Sequence, residues 1–437
     1  MRKIARVIMV FCMVFCLVIL SGVAACAPAE KPLGEPVKVG IIGHMGYFSG
    51  DYYWRGAVVA AEEINAAGGV LGRPIELIQA QSNEMVNVAD AASAMEKLIT
   101  VDKAVVVTGG FRSEAVLAMQ DVACDYKTVF LSSSAHFAPY DRVAKDYERY
   151  KYYFKPYPNA AYMGAAFVET AATVADVVRE ELGIKTPKVA ILAEKAAWAE
   201  PIAKAFRETA PKIGVEIVGE WWPSALATDL TAELTAIKAS GAHQIFLILS
   251  GPVGTTFGKQ WYELKVPAAM SGCNGVTWDA GAYLETTKAD YSATWDPGGQ
   301  ARVEMTPKTI PFWDKYHKKW GTGPIFLAAE ASDCLYMWKE AVERAGTFDS
   351  DAVVKELEKT DYIGILSRIV FQQLGEKFPH CGKYGKGYMT DSAIQLIGGE
   401  VNNFWPVAEH PKDWALQYKG TKPYQLPPWM VEYWKGR

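Results

Sequence analysis

The stretch RGAVVAAEEINAAGGVLGRPIELIQA, residues 55–80, changes its periodicity half-way along. Its first half repeats apolar residues at helical spacing, with Ala57, Ala60, Ala61 and Ile64 on one face and Gly68 as a stop. Beyond the glycines, RPIELIQA reads as a strand. Working outward, VKVGIIG (37–43) is a strand ahead of the helix. Behind it, residues 87–100 set Val88, Ala91, Ala92, Met95, Leu98 and Ile99 along one helical stripe. AVVVT (104–108), a helix from Ser113 to Cys124 and KTVFLSS (127–133) continue the alternation. Strands and helices in such succession predict a parallel sheet covered by helices.

A tyrosine-rich tract, PYDRVAKDYERYKYYFKPYPNAAYMG (139–164), interrupts the pattern, which restarts with KVAILA (188–193). A helix through AEPIAKAFRETA (199–210), the strand VEIVGEW (215–221), a helix over 228–239 and QIFLIL (244–249) follow. GKQWYELK (258–265) reads as helix and VPAAMSG (266–272) as the last strand of this set. Two α/β sets predict two Rossmann-like, doubly wound lobes with a cleft between them, and 437 residues exceed what one core organises. From about Tyr283 the pattern is mostly helical, with helices expected at 307–319, 328–345 and 349–359 before a tail rich in aromatics and prolines. The composition, half apolar and 22% charged, is that of a folded chain rather than a disordered one.

Arg2, Lys3 and Arg6 precede an uncharged apolar run from Val7 to Leu20, the layout of a secretory signal. The alternative is a retained N-terminal membrane anchor. VAAC (23–26) resembles the bacterial lipobox, which implies cleavage of residues 1–25 and lipidation of Cys26. Residues 26–35 then form a short proline-rich tether. Losing the three basic residues takes the formal charge from -4 to -7, and the remaining Lys and Arg are scattered, so no nucleic-acid surface is implied. Cys124, Cys273, Cys334 and Cys381 remain, without a CxxC pair, so no metal site is expected and the disulfide state stays open.

Motifs of catalysis and cofactor binding do not emerge. VGIIGHMGYFSG (39–50) lacks G-x-G-x-x-G, and its helix is expected to begin only near Tyr52, too far along for a pyrophosphate. Neither a G-x-S-x-G elbow nor a P-loop occurs, so the chain is expected to be no enzyme and to need no cofactor. What remains is a set of strand-to-loop junctions ending in small polar residues: Gly46 to Ser49, Gly109 to Ser113 and Ser132 to His136. In a parallel sheet these lie at the C-terminal edge, where ligands collect. Ser113 is either a helix cap or a ligand donor.

AAEEINAAGGVLGRPIELI (60–78) resembles the hallmark helix, turn and strand of the branched-chain amino-acid type of periplasmic binding protein, the type I solute receptors of ABC importers. VVVTGGFRSEAVLAM (105–119) resembles the family's G-P-V-x-S loop, and FLSSSAHF (130–137) its S-P-S-A-T segment. KVAILAEKAAWAEPIAKAF, TDLTAELTAIKASGAHQIFLIL and AEASDCLYMWKEAVERAG are similar to further family blocks. The resemblance implies a first-lobe carboxylate grip at Ser113, Ser134, Ala135 and His136, although His136 stands where the family has threonine. It places a second-lobe aromatic at Trp198 and, where the family usually has an acid for the ligand ammonium, Asn274. Glu194 or Glu330 is then the candidate source of a missing negative charge. Phe48, Tyr52, Phe137, Tyr162 and Trp198 would line an aromatic pocket. Arg112, where the family has a small residue, is either a bidentate carboxylate clamp, a partner of Glu114, or solvent-facing.

The resemblance covers roughly residues 37–400 and implies lobe 1 over 36–156 and 284–360, lobe 2 over 157–283 and 361–410, and an extension over 411–437. It implies a monomeric, lipid-anchored receptor that passes a hydrophobic or aromatic amino acid, or a related carboxylate, to a permease and its ATPase. The competing expectation is a ligand-sensing module of the same fold without a transport role.

Overall fold

The computed structural model describes residues 34–385, 387–389, 391–405 and 422–435, so the expected signal peptide, Cys26 and most of the tether lie outside the described residues. Strands β1 (Val37–Gly43), β2 (Ile75–Gln81), β3 (Val106–Gly109), β4 (Val129–Ser132) and β5 (Tyr153–Phe154) form a parallel sheet in the order β2-β1-β3-β4-β5. β1 is interior, pairing Val39 with Leu77 on one side and with Val106 on the other. It is covered on both faces, which is why Val39, Ile41 and Ile42 are all buried and the segment reads as a continuous apolar run.

The helix Phe48–Ala66 begins four residues before the expected Tyr52 and packs against the helix Phe326–Ala345. Gly56 makes this approach possible, since a Cβ there would collide with the Ala328 carbonyl. The tyrosine-rich tract holds two short helices, β5 and the start of the long helix Ala160–Leu182, whose first amides are capped by Asn159 Oδ1.

The second sheet, also parallel, contains β6 (Lys188–Ala193), β7 (Glu216–Trp221), β8 (Gln244–Leu249) and β9 (Ala269–Asn274) in the order β7-β6-β8-β9. β10 (Ala293–Asp296) lies beside β9, where Thr294 Oγ1 accepts the Asn274 amide at 2.9 Å. The hairpin β11 (Asp361–Ile363) and β12 (Arg368–Val370) follows in sequence. β13 (Ser392–Ile397) then pairs antiparallel with both β10 and β14 (Glu400–Trp405).

These pairings move two expected boundaries. Residues 293–296, expected in the first lobe, are bound into the second, and the chain returns to the first lobe after Asp296. Residues 361–381, expected in the second lobe, stay with the first: Asp333 accepts the Ile365 amide, and His380 bonds Tyr153 O at 3.0 Å and Glu358 at 2.9 Å. The chain still crosses between lobes three times. The described part of the C-terminal extension covers the second lobe, with Trp429 and Trp434 donating their indole N–H groups to the carbonyls of Val266 and Pro267. Cys124, Cys273, Cys334 and Cys381 are buried and unpaired.

Candidate ligand site between the lobes

The loop after β3 turns through Gly109 (φ 120°) and Gly110 (φ 73°), a conformation that favours glycine; a Cβ at Gly109 would also strike the Ile42 carbonyl. The turn is held from below by Glu84, buried at 3% exposure, whose Oε2 accepts the amides of Phe111 (2.9 Å) and Arg112 (3.1 Å). Burial pushes the Glu84 carboxyl up and these amide bonds pull it back. The next helix starts at Ser113. The Ser113 hydroxyl meets that of Ser134, from the loop after β4, at 3.3 Å. Ala135 follows Ser134, and no described residue accepts from its amide.

From the second lobe, Glu194 follows directly on β6 and is fully buried. It accepts Trp198 Nε1 (3.0 Å), Ser250 N (2.9 Å), Ser250 Oγ (2.6 Å) and Gly251 N (2.7 Å). Arg112 reaches across from the first lobe to the same carboxylate at 3.0 Å, and to its neighbour Glu114 at 3.2 Å. Two more bonds cross the cleft, from Ala197 N to Glu114 (2.8 Å) and from Tyr47 OH to Ser250 O (3.0 Å). Arg112 is therefore engaged with Glu114, as one expectation had it, and it also joins the lobes.

Between the lobes, where these loops meet, lies a cavity. Arg112, Ser113, Ser133, Lys155, Tyr157 and Ser250 supply its polar side chains, and Ala135 lines it beside them. Its apolar wall includes Phe111, Met163, Trp198, Trp278, Trp295 and Phe326. Three of these rings form a cluster, with Trp278 4.8 Å from Phe326 and 5.9 Å from Trp295 between centroids. Lys155 lies on the first crossing between lobes, 2% exposed, and its ammonium sits 3.1 Å from Glu330, which is fully buried behind the lining and also accepts the Ser133 hydroxyl. Burial pushes the Glu330 carboxyl up, while Lys155 and Ser133 pull it down.

Of the residues expected from sequence, Arg112, Ser113, Ala135 and Trp198 line the cavity, and Ser134 and Glu330 stand directly behind it. The others are placed elsewhere. Phe48 and Tyr52 line a separate space beside Asp51, Arg55 and Asp279. His136 spends its Nδ1 on the Ala138 amide and stacks on Phe137, away from the lining. Tyr162 stacks on Tyr384 and accepts from Gln372, and Asn274 is buried in the second lobe with its amide on Gly254 O. Lys155, Trp278, Trp295 and Phe326 were not expected in the site. Sequence marks a buried lysine or a cavity tryptophan no differently from a surface or core one, because only packing separates them.

Arg112→Ala removes one lobe-crossing ion pair without touching the apolar wall. It is expected to weaken binding of a cavity ligand by about 2 kcal/mol, roughly thirtyfold, measured by titration calorimetry.

Asp296, which ends β10 next to the cavity residue Pro297, has its carboxyl pushed up to about 7 by burial. Between the unfolded value near 4 and about 7, the folded chain holds a proton that the unfolded chain releases. Stability from this group therefore falls as pH rises through that window, by up to about 1.4 kcal/mol per pH unit. Asp296→Asn is expected to remove this slope, so that the difference in thermal midpoint between variant and wild type grows in the variant's favour from pH 5 to pH 8.

A profile of the periplasmic binding protein family matches residues 36–384, which span the first lobe and the second lobe as far as β10. The chain belongs to the periplasmic binding protein family. It is of the type I class that resembles leucine- and branched-chain amino-acid-binding proteins, and like its family it is a solute-binding protein and not an enzyme. Such proteins serve as the solute-binding component of ABC importers outside the cytoplasm. An amino acid binding protein of Pseudomonas aeruginosa is 27% identical over 247 residues, 56% of this chain and 62% of that relative's length. The branched-chain amino acid transporter substrate-binding protein of Streptococcus pneumoniae, solved with isoleucine, superposes with a TM-score of 0.69 at 23% identity, covering 84% of this chain and 97% of that one. A solute-binding protein from R. palustris, solved with benzoate, gives 0.69 at 15% identity, covering 90% and 99%. At these identities the two structures establish the fold of this binding protein, two α/β lobes joined by a hinge.

Proposed function

We propose that this binding protein is the lipid-anchored receptor of an ABC importer. It closes on a hydrophobic or aromatic amino acid or a related carboxylate in the interlobe cavity and delivers it, as a monomer, to the permease and ATPase. Lipidation at Cys26 and a tether over 26–35 would hold it at the membrane surface. The observation that carries the ligand class is the cavity's dual lining, hydroxyls and two cations beside a wall of clustered rings. Rings bury apolar ligand surface, while few polar groups fix orientation. The two solved relatives, one holding isoleucine and one benzoate, show that the fold accommodates both ligand kinds.

A thermal-shift screen of residues 27–437 against amino acids, aromatic and aliphatic carboxylates, sugars and nucleotides tests this reading. A ligand present at a hundred times its Kd stabilises the folded state by about 2.7 kcal/mol, a readable rise in midpoint. Stabilisation by sugars or nucleotides alone would overturn the ligand class.

A further inference from the structure

Charge is distributed unevenly about the cavity. Its lining residues include two cations, Arg112 and Lys155, and among the described residues no aspartate or glutamate. Both nearby acids stand behind that lining and are already engaged. Glu194 accepts five hydrogen bonds, from Arg112, Trp198, the amide and hydroxyl of Ser250, and the amide of Gly251, more than the four lone-pair sites of a carboxylate comfortably serve. Glu330 gives one oxygen to Lys155 and the other to Ser133. The indole N–H of Trp198 is spent on Glu194 and that of Trp278 on the Trp295 carbonyl, so neither has a donor left for a ligand, and an indole N–H cannot accept from an ammonium.

From this geometry we infer that the cavity selects carboxylates without an α-ammonium group, and that Lys155 is the charge partner of the ligand carboxylate. The inference rests on the receptor reading above and narrows its ligand class. A zwitterionic amino acid would bring its ammonium against a lining whose charged side chains are both cations, with the acids that pair them behind it, and would desolvate that ammonium without an acid in the lining to pair with. A des-amino acid of the same skeleton avoids that cost and keeps the interaction of its carboxylate with the Lys155 ammonium and the Ser113 hydroxyl. An aromatic ring on the ligand would meet Trp198, Trp278, Trp295 and Phe326 through apolar contact alone.

Matched pairs test this: phenylalanine against 3-phenylpropanoate, and leucine against 4-methylpentanoate, each titrated calorimetrically into the full-length protein. The des-amino member of at least one pair is expected to bind about tenfold or more tighter than its amino acid. Equal or tighter binding of the amino acid, or tighter binding of a quaternary ammonium carboxylate such as glycine betaine, overturns the inference while leaving the receptor reading in place. If no member of either pair binds while sugars or nucleotides do, the reading and the inference fall together. The double variant Lys155→Met with Glu330→Gln removes the charge partner without stranding a buried acid. It is expected to weaken the des-amino ligand about tenfold or more and to bring the ratio within each pair close to one. An unchanged ratio in a folded double variant removes Lys155 from that role.

Discussion

Glu194→Ala is expected to be among the most damaging single substitutions in the molecule, lowering stability by about 3–5 kcal/mol. The carboxylate is fully buried and gathers the ends of β6 and β8, through the amides of Ser250 and Gly251, with Trp198 and the cation of the opposite lobe. Truncation leaves two amides, an indole N–H and the Ser250 hydroxyl without this acceptor and Arg112 with Glu114 alone, and each buried donor so stranded carries its own desolvation cost. Part of the Arg112 cost can be relieved by the lobes parting, which exposes the guanidinium to water. The variant is therefore expected to show a lower urea midpoint and, in small-angle scattering without ligand, a larger radius of gyration than wild type. An unchanged urea midpoint would show that the second-lobe loops hold their shape without this acid.

Lys155→Ala is expected to cost a similar amount, about 3–5 kcal/mol, because it strands Glu330 as an uncompensated charge inside the protein. Lys155 is 2% exposed and Glu330 is not exposed at all, so water does not screen the loss. Burial already pushes the Glu330 carboxyl up; without the lysine it rises further and the site takes up a proton. The sign follows directly. A raised carboxyl in the folded state makes the variant more stable as pH falls, so its deficit against wild type is expected to shrink between pH 8 and pH 5. Replacing both partners, Lys155→Met with Glu330→Gln, is expected to recover most of the stability, since two neutral side chains of similar length need no ionic partner. Thermal midpoints of wild type, single and double variants at pH 5 and pH 8 decide the matter. A single variant as stable as wild type at pH 8 would contradict a tightly coupled buried pair.

Parts of both lobes were legible because their central strands are covered on both faces. VKVGIIG and KVAILA coincide with β1 and β6, and QIFLIL with β8, since an apolar β-branched run of that length between glycine- and proline-rich breaks has few other uses. The junction at Ser113 was legible for a related reason: a strand ending in two glycines and opening a helix leaves a hydroxyl at the C-terminal edge of the sheet. β10 was not. ATWD is four residues long, and its pairing with Ser392–Ile397, nearly a hundred residues onward, leaves no mark in local periodicity. The same holds for His380 and Glu358, which tie the third crossing to the first lobe.

Sequence by itself determined that this chain alternates strands and helices in two sets, carries loops with small polar residues at the edge of the first, and resembles a family of solute receptors. Tertiary structure alone decided which of those loops meet. Arg112 could be a carboxylate clamp, a partner of Glu114 or a solvent-facing residue until the second lobe placed Glu194 at 3.0 Å from it. Lys155 looked like one more residue of an irregular tract until Glu330, 175 positions away, closed on it. Local sequence records the preferences of a backbone and its nearest neighbours along the chain. The charge of a cavity is set instead by which ions are neutralised behind its wall, and that depends on contacts between segments with no common periodicity.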